Sequence, residues 1–165
     1  ETGVDVMPVD EAGELRVRGP QMITSYWNRP DETASAIRDG WLYTGDIGSI
    51  DELGRITIVD RKKDMVNVGG YNVFPREIDE VLFAHPEIQE AAAIGVPDSH
   101  RGEAVQAYVV KTEGATVSAE EIIDYCKESL AKFKVPTEVH IVDSLPKTPA
   151  AKIDKMALRK SFEGN

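Results

Sequence analysis

Five consecutive charged residues at positions 60–64, Asp-Arg-Lys-Lys-Asp, separate two apolar segments of the chain. Charged side chains are almost never buried unless they are paired, so no single core can run through this segment. The run therefore predicts a boundary, with residues 1–62 on one side and residues 63–165 on the other. Residues 64–165 are enough for a core of their own, whereas residues 1–60 contain strands without a complete core.

The hydrophobic patterns on the two sides differ. Alternation predicts strands at residues 13–19, 41–50 and 55–59, the last two joined by a hairpin turn at 51–54. The same part of the chain is also predicted to contain a short helix that includes residues 34–37. Beyond the charged run, apolar segments predict strands at 91–96, stopped by Pro97-Asp98, and at 105–110 and 139–142. Helices are predicted to start at Pro75 and after Ser118, where Ser-Ala-Glu-Glu121 forms a capping box, and to cover residues 155–162. This mixture predicts an α+β fold with a short sheet and packed helices.

Charge and cysteine content exclude several functions. The net charge of −10 argues against a nucleic-acid partner, which needs a basic surface. One cysteine permits no internal disulfide, and Cys126 lies on the apolar side of a predicted helix, as a buried hydrophobe would. The three histidines lack metal-ligand spacing, and we expect no metal site. No apolar run approaches the ~20 residues that span a bilayer.

A basic segment near the C-terminal end carries the most informative residue. Residues 147–160 contain five basic side chains and one acid, Asp154. They form either a solvated basic helix or a cationic surface for a polyanionic small molecule. Lys152 lies on a turn rich in Pro and Ala, where a mobile ammonium group can reach between negatively charged reactants.

Three further features are candidates for binding. Tyr43-Thr-Gly-Asp46 places a carboxylate at a glycine-containing strand segment, where it either caps a turn or accepts hydrogen bonds from vicinal hydroxyls. Arg61 either contacts solvent or clamps a phosphate through its planar guanidinium group. Gly69-Gly70 either forms a β-bulge or allows a ligand to approach the backbone closely.

These motifs occur together, in an order that resembles the C-terminal third of the adenylate-forming enzymes, which include acyl-CoA synthetases, luciferases and peptide-synthetase adenylation domains. The matching stretches are Tyr-Trp-Asn-Arg-Pro-Asp-Glu-Thr, Asp-Gly-Trp-Leu-Tyr-Thr-Gly-Asp, Ile-Val-Asp-Arg-Lys-Lys-Asp-Met, Gly-Gly-Tyr-Asn-Val-Phe-Pro and Pro-Lys-Thr-Pro-Ala-Ala-Lys-Ile. The third of these, together with Phe-Lys-Val-Pro, is most similar to bacterial fatty-acyl-CoA synthetases. The resemblance implies that strands from the end of a large N-terminal domain precede a mobile C-terminal domain.

The resemblance also implies roles for individual residues. Asp46 would bind the ribose of ATP or AMP, and Arg61 would contact the nucleotide. Lys63 would be the hinge, Gly70 and Tyr71 would contact CoA, and Lys152 would be the adenylation lysine. The implied reaction converts a fatty acid and ATP to an acyl-adenylate and then to a CoA thioester. ATP and CoA are substrates, and Mg²⁺ is expected to bind through residues upstream of residue 1.

Two features depart from the family pattern. Ala151 stands where the family usually has glycine before the lysine, which costs roughly 1 kcal/mol if the position requires a positive φ. The family's phosphate loop and acid pocket have no counterpart in the sequence. We therefore expect a fragment, inactive alone, whose partner is its own N-terminal domain.

The alternatives are a ligase for an aryl or other acid, a peptide-synthetase adenylation domain, and a non-enzymatic regulatory module with the same fold. For the parent enzyme we expect a cytoplasmic location, and the resemblance allows peripheral association with the inner membrane face.

Overall fold

The chain divides into two compact units, Glu1–Lys63 and Asp64–Asn165. The computed structural model describes residues 6–163, with side chains up to residue 161. The division falls inside the charged run, where a short 3₁₀ helix covers Lys62–Asp64. None of the three side chains in this helix is buried, so neither core extends through the segment.

The first unit is built around one antiparallel sheet. Its elements are β1 (Gly13–Val17), α1 (Pro30–Ala36), β2 (Ile37–Arg38), β3 (Trp41–Ile50) and β4 (Ile56–Arg61). β3 is the central strand and pairs with each of the other three. The predicted hairpin between β3 and β4 forms because the Asp51 carboxylate accepts hydrogen bonds from the backbone N–H groups of Leu53 and Arg55, at 3.0 and 2.8 Å. Within the described part of this unit, Ile47 is the only buried hydrophobic side chain.

The second unit is an α+β fold, which confirms the predicted class. Its elements are β5 (Val66–Val68), β6 (Tyr71–Val73), α2 (Pro75–Phe83), β7 (Ile88–Asp98), β8 (Gly102–Lys111), α3 (Ala119–Ser129), β9 (Glu138–Ile141) and α4 (Lys155–Glu163). The strand order is β6-β5-β8-β7, and β9 adds to β8 in the parallel direction. All other pairs in this sheet are antiparallel.

Both faces of the central hairpin β7–β8 are buried. One face packs against α2 and α3, whose inward side chains Ile78, Leu82, Ile122 and Cys126 are 0% exposed. The other face packs against Leu145 and Leu158 through Ile94 and Val96. Burial on two faces explains why β7 is nearly continuously apolar instead of alternating.

The helix that follows Ser118 begins as predicted. The Ser118 hydroxyl accepts the backbone N–H of Glu121 at 3.2 Å, and the Glu121 carboxylate accepts the backbone N–H of Ser118 at 2.8 Å. These two bonds satisfy donors that the first helical turn leaves unpaired. The capping box could be predicted from the sequence because both partners lie within one helical turn of each other.

Several element bounds differ from the sequence prediction, including the following two. β7 continues through Pro97 and Asp98, which pair with Glu103 and Gly102. Proline is tolerated there because β7 pairs only with β8 among the described strands, so its other edge needs no N–H donor. Ile37, predicted to continue the first helix, instead begins β2, where it pairs with Leu42.

No helix in the described residues is long and apolar enough to cross a membrane.

Candidate functional site

Lys152 lies on a tight hairpin turn that its own backbone closes. The N–H of Thr148 donates to the Lys152 carbonyl at 2.7 Å, and the N–H of Ala151 donates to the Thr148 carbonyl at 2.9 Å. Lys147 and Ile153 form an antiparallel bridge at the base of the turn. The lysine backbone is therefore held in place, while its side chain is exposed and makes no ion pair with any described residue.

Ala151 has φ = +58°, the left-handed conformation. A turn of this type, with three residues between the paired positions 148 and 152, places its last residue in the left-handed region, where glycine is favoured. The concern raised by the sequence is therefore justified, because the position does require a positive φ. The cost to alanine is about 1–2 kcal/mol.

The basic segment around Lys152 is largely neutralised. Lys147 pairs with Glu90 at 2.6 Å, Lys155 with Asp79 at 2.6 Å and Arg159 with Asp64 at 3.0 Å. These acids are distant along the chain from the basic segment, so no local pattern indicated the pairs. Three of the five basic residues therefore anchor this segment to the second unit instead of forming a broad cationic surface. Lys152 and Lys160 are exposed and have no ion pair among the described residues.

Asp46 and Arg61 are brought together in the first unit. They are direct partners in the β3–β4 register, and the Arg61 Nε donates to Asp46 Oδ1 at 2.9 Å. The side chains are 30% and 58% exposed, so the carboxylate and the terminal guanidinium nitrogens remain accessible to a ligand. Thr44 supports the strand here because its hydroxyl accepts the Asp46 N–H at 3.1 Å and donates to the Leu15 carbonyl at 2.9 Å.

Lys63 is the last residue of the first unit and is exposed. The residue before it, Lys62, pairs with Glu14 of the first unit at 2.6 Å. The residue after it, Asp64, pairs with Arg159 of the second unit. Lys63 itself has no ion pair among the described residues, so it lies between two residues that are each fixed to a different unit.

Gly69 and Gly70 form a two-residue hairpin turn between β5 and β6. Val68 pairs with Tyr71, and the two glycines have φ = +58° and +90°. Positive φ at both central positions is typical of a type I′ turn, so the predicted alternative of a β-bulge is wrong. A Cβ built at Gly70 meets no atom within 4 Å, so backbone conformation, not crowding inside the unit, requires glycine.

Tyr71 follows this turn and is 59% exposed. Its ring stacks on Phe133 at a centroid distance of 4.5 Å. Sequence analysis did not select Phe133 as a site residue, since it is 62 positions away and its neighbours gave no periodic signal. Lys134 beside it pairs with Glu77 of α2 at 2.7 Å, which fixes the Phe133 loop against the helix.

A second turn supports the glycines. The Gly69 N–H donates to the Arg101 carbonyl at 2.9 Å, within the connection between β7 and β8. Asp98 orders that connection because its carboxylate accepts the backbone N–H groups of Arg101 and His100, at 2.8 and 2.9 Å. These bonds, the Arg101 N–H first, hold the pKa of Asp98 below its usual value.

Cys126 is fully buried in α3, as predicted, and burial raises the pKa of its thiol to about 11. A thiol of this kind is not a nucleophile near neutral pH. Among the described residues no group of three or more His, Cys, Asp or Glu side chains is placed to hold a metal ion.

Comparison with known proteins agrees with the architecture of the second unit. Residues 77–152 match the family model of the AMP-binding enzyme C-terminal domain. A long-chain-fatty-acid–CoA ligase of Bacillus subtilis (strain 168) is 50% identical over 153 residues, which is 93% of this chain and 27% of the relative. A 2-succinylbenzoate–CoA ligase of Geobacillus kaustophilus is 42% identical over 150 residues, covering 91% of this chain and 31% of the relative.

Solved structures give the same result. The crystal structure of ATP-bound MatB from Rhodopseudomonas palustris superposes with a TM-score of 0.88 at 40% identity, covering 95% of this chain and 31% of that one. The chain thus spans less than a third of the length of these relatives. The resemblance to the C-terminal portion of adenylate-forming enzymes is confirmed, and residues 77–152 are similar to the AMP-binding enzyme C-terminal domain.

Proposed function

We propose that the chain is the C-terminal part of an AMP-forming acyl-CoA ligase. The whole enzyme activates a fatty acid with ATP as an acyl-adenylate and transfers the acyl group to CoA. The identity of 50% to a fatty-acid–CoA ligase, extending over 93% of the chain, supports this class of reaction. The single structural observation that carries the proposal is the exposed Lys152, which has no ion pair among the described residues and lies on a closed turn beside the ion-paired Lys147 and Lys155.

The chemistry of adenylation explains why such a lysine is useful. A carboxylate attacking a phosphate brings two anions together, and a positioned ammonium group lowers the energy of the transition state more than that of the ground state. An ion-paired lysine would have to break that pair before acting. Lys152 has no such cost, whereas Lys147 and Lys155 would each lose a contact of 2.6 Å.

The remaining site residues have complementary proposed roles. Asp46 accepts hydrogen bonds from the ribose hydroxyls of the nucleotide, and Arg61 orients that carboxylate while directing its terminal N–H groups to the ligand. Gly70 and Tyr71 contact CoA in the second half-reaction. The open space above Gly70 and the exposed Tyr71 ring support this assignment.

Lys63 is the proposed hinge between the two half-reactions. Rotation about it would bring Lys152 to the site for adenylation and remove it for thioester formation, a form of domain gating. The anchoring of Lys62 to Glu14 and of Asp64 to Arg159 supports this role, because it confines backbone change to the residue between them.

The proposed partner is the N-terminal domain of the same enzyme. In the first unit Trp27, Leu53 and Ile56 are 89%, 77% and 59% exposed. Large apolar side chains exposed in this way support a surface that another domain covers. Any Mg²⁺ is proposed to bind through residues upstream of residue 1. The proposal includes a cytoplasmic enzyme with peripheral association at the inner membrane face, since fatty acids partition into bilayers.

The test uses the full-length parent with Lys152→Ala. Fatty-acid-dependent pyrophosphate release should fall about 10²–10³-fold. Thioester formation from supplied acyl-adenylate should persist, because that step does not bring a carboxylate and a phosphate together. Lys160→Ala is the matched control, since it also removes an exposed lysine that has no ion pair among the described residues, and it should leave both steps unchanged. Equal loss of both steps in Lys152→Ala would contradict the two-state assignment.

A second measurement tests the chain alone. We expect no pyrophosphate release from ATP with any fatty acid, and release by the purified chain would refute the proposal that it is an inactive part.

The alternatives give different products. A ligase for an aryl or other acid is supported by the 42% identity to a 2-succinylbenzoate–CoA ligase, and comparing acids in the full-length assay separates it from the fatty-acid enzyme. A peptide-synthetase adenylation domain would load a carrier protein instead of free CoA. A regulatory module would bind nucleotide without forming any adenylate.

A further inference from the structure

The first unit carries a cluster of arginine and aromatic side chains that the proposed chemistry does not use. We call it the arginine face, and it comprises Arg16, Arg18, Arg38, Trp41 and Tyr43. Arg16 is opposite Tyr43 in the β1–β3 pairing, and Arg38 is opposite Trp41 in the β2–β3 pairing. Directly opposed residues project to the same side of a sheet, and so do residues two apart on one strand. The register therefore places these four side chains on one side of the sheet, and the contact between Arg18 and Trp41 adds the fifth.

Aromatic rings hold the three guanidinium groups. The Cζ atoms of Arg16 and Arg18 lie 4.4 and 4.6 Å from the Trp41 ring centroid. The Cζ atom of Arg38 lies 3.8 Å from the Tyr43 ring centroid. A cation–π contact is not a hydrogen bond between the N–H donors of the guanidinium group and an oxygen acceptor. Each arginine is therefore positioned without using up its hydrogen-bonding capacity.

These arginines differ from others in the chain because no described carboxylate pairs with them. Arg29, Arg55 and Arg76 each pair with an acid at 3.0 Å or less. The sequence contains 29 acidic residues, so an intramolecular partner was available to evolution. Two guanidinium groups held near one indole ring repel each other, and an anion bound close to both would relieve that repulsion.

We propose that the arginine face binds a compact, soluble, phosphate-bearing anion. Three planar guanidinium groups match the oxygen geometry of phosphate and complement a di- or trianion better than a single carboxylate. The net charge of the chain, −10, does not exclude such an anion. A small anion at the cluster is governed by charges within about 8–10 Å, the screening length at physiological salt. The site does not depend on the proposed ligase activity.

Calorimetric titration of the chain with inorganic pyrophosphate tests the proposal. The variant Arg16→Gln/Arg18→Gln/Arg38→Gln should bind at least ten times more weakly. The matched control Arg29→Gln/Arg55→Gln/Arg76→Gln changes the net charge by the same amount but removes ion-paired arginines, and should change the affinity less than twofold. Circular dichroism checks that both variants are folded, and the single variant Arg18→Gln, at an exposed position beyond β1, should weaken binding about threefold if the triple variant does not fold.

Two further measurements locate the anion. In a Trp27→Phe background Trp41 is the only tryptophan, and its fluorescence should change on addition of pyrophosphate. Trp41→Leu keeps every charge and should weaken binding severalfold because the arginines lose their support. The proposal is overturned if pyrophosphate does not bind, if both triple variants lose affinity equally, or if the chain binds phosphatidylglycerol vesicles but not pyrophosphate.

Discussion

Replacing Ala151 with glycine should stabilise the turn that presents Lys152. Ala151 has φ = +58°, and a left-handed conformation costs an L-residue about 1–2 kcal/mol that glycine does not incur. The greater conformational freedom of glycine in the unfolded chain offsets roughly 0.5–1 kcal/mol of this difference. Ala151 is exposed, so losing its methyl group removes no buried contact. We therefore expect a net gain of about 0.5–1 kcal/mol.

Native-state hydrogen exchange measures this effect where it arises. The amide of Thr148 donates to the Lys152 carbonyl at 2.7 Å and exchanges only when the turn opens. A gain of about 0.5–1 kcal/mol should slow its exchange by about two- to fivefold. The amide of Leu130, which donates to the Cys126 carbonyl at the end of α3, should not change.

Ala150→Gly is the control, because Ala150 is in the same turn but does not have a positive φ. Here glycine adds freedom to the open state without relieving strain, so exchange at Thr148 should become faster. The reasoning is refuted if Ala151→Gly leaves exchange at Thr148 unchanged, or accelerates it as Ala150→Gly does.

Three other predictions concern the second unit. Gly70→Ala should lower the free energy of unfolding by about 1–2 kcal/mol in urea titration, because its φ of +90° strains alanine although a Cβ has room, and no loss would refute the turn assignment. Cys126, with a pKa raised to about 11, should react with a thiol reagent at pH 8 only in denaturant, and fast labelling of the native chain would contradict its burial. The Asp98 carboxylate has a lowered folded-state pKa, so the stability it adds is present above its unfolded pKa and lost as pH falls through the folded value. Asp98→Asn should therefore make the urea midpoint fall less steeply as the pH is lowered. An unchanged dependence on pH would show that another group controls it.

The secondary structure was largely predictable because its signals are local. The capping box at Ser118 and the Asp51 turn each depend on residues within four positions, so they form wherever the chain is placed. The apolar spacing of Ile78 and Leu82 likewise identified the buried side of α2 before its partner was known. The strand at Pro97 was predicted too short because the tolerance for proline depends on which strand lies beside it.

The candidate site divides in the same way. The sequence by itself determined which residues are candidates, namely Lys152, Asp46, Arg61 and the two glycines, because motif order is a property of the chain. Only the tertiary structure decided which charges remain available, since Lys147 and Lys155 pair with acids 57 and 76 residues away, whereas Lys152 pairs with none in the part of the chain that the structure describes. It also showed that Ala151 is left-handed, because two backbone hydrogen bonds close the turn around it. The sequence determines which residues are charged, but whether a charge is neutralised depends on distances between side chains that only folding sets.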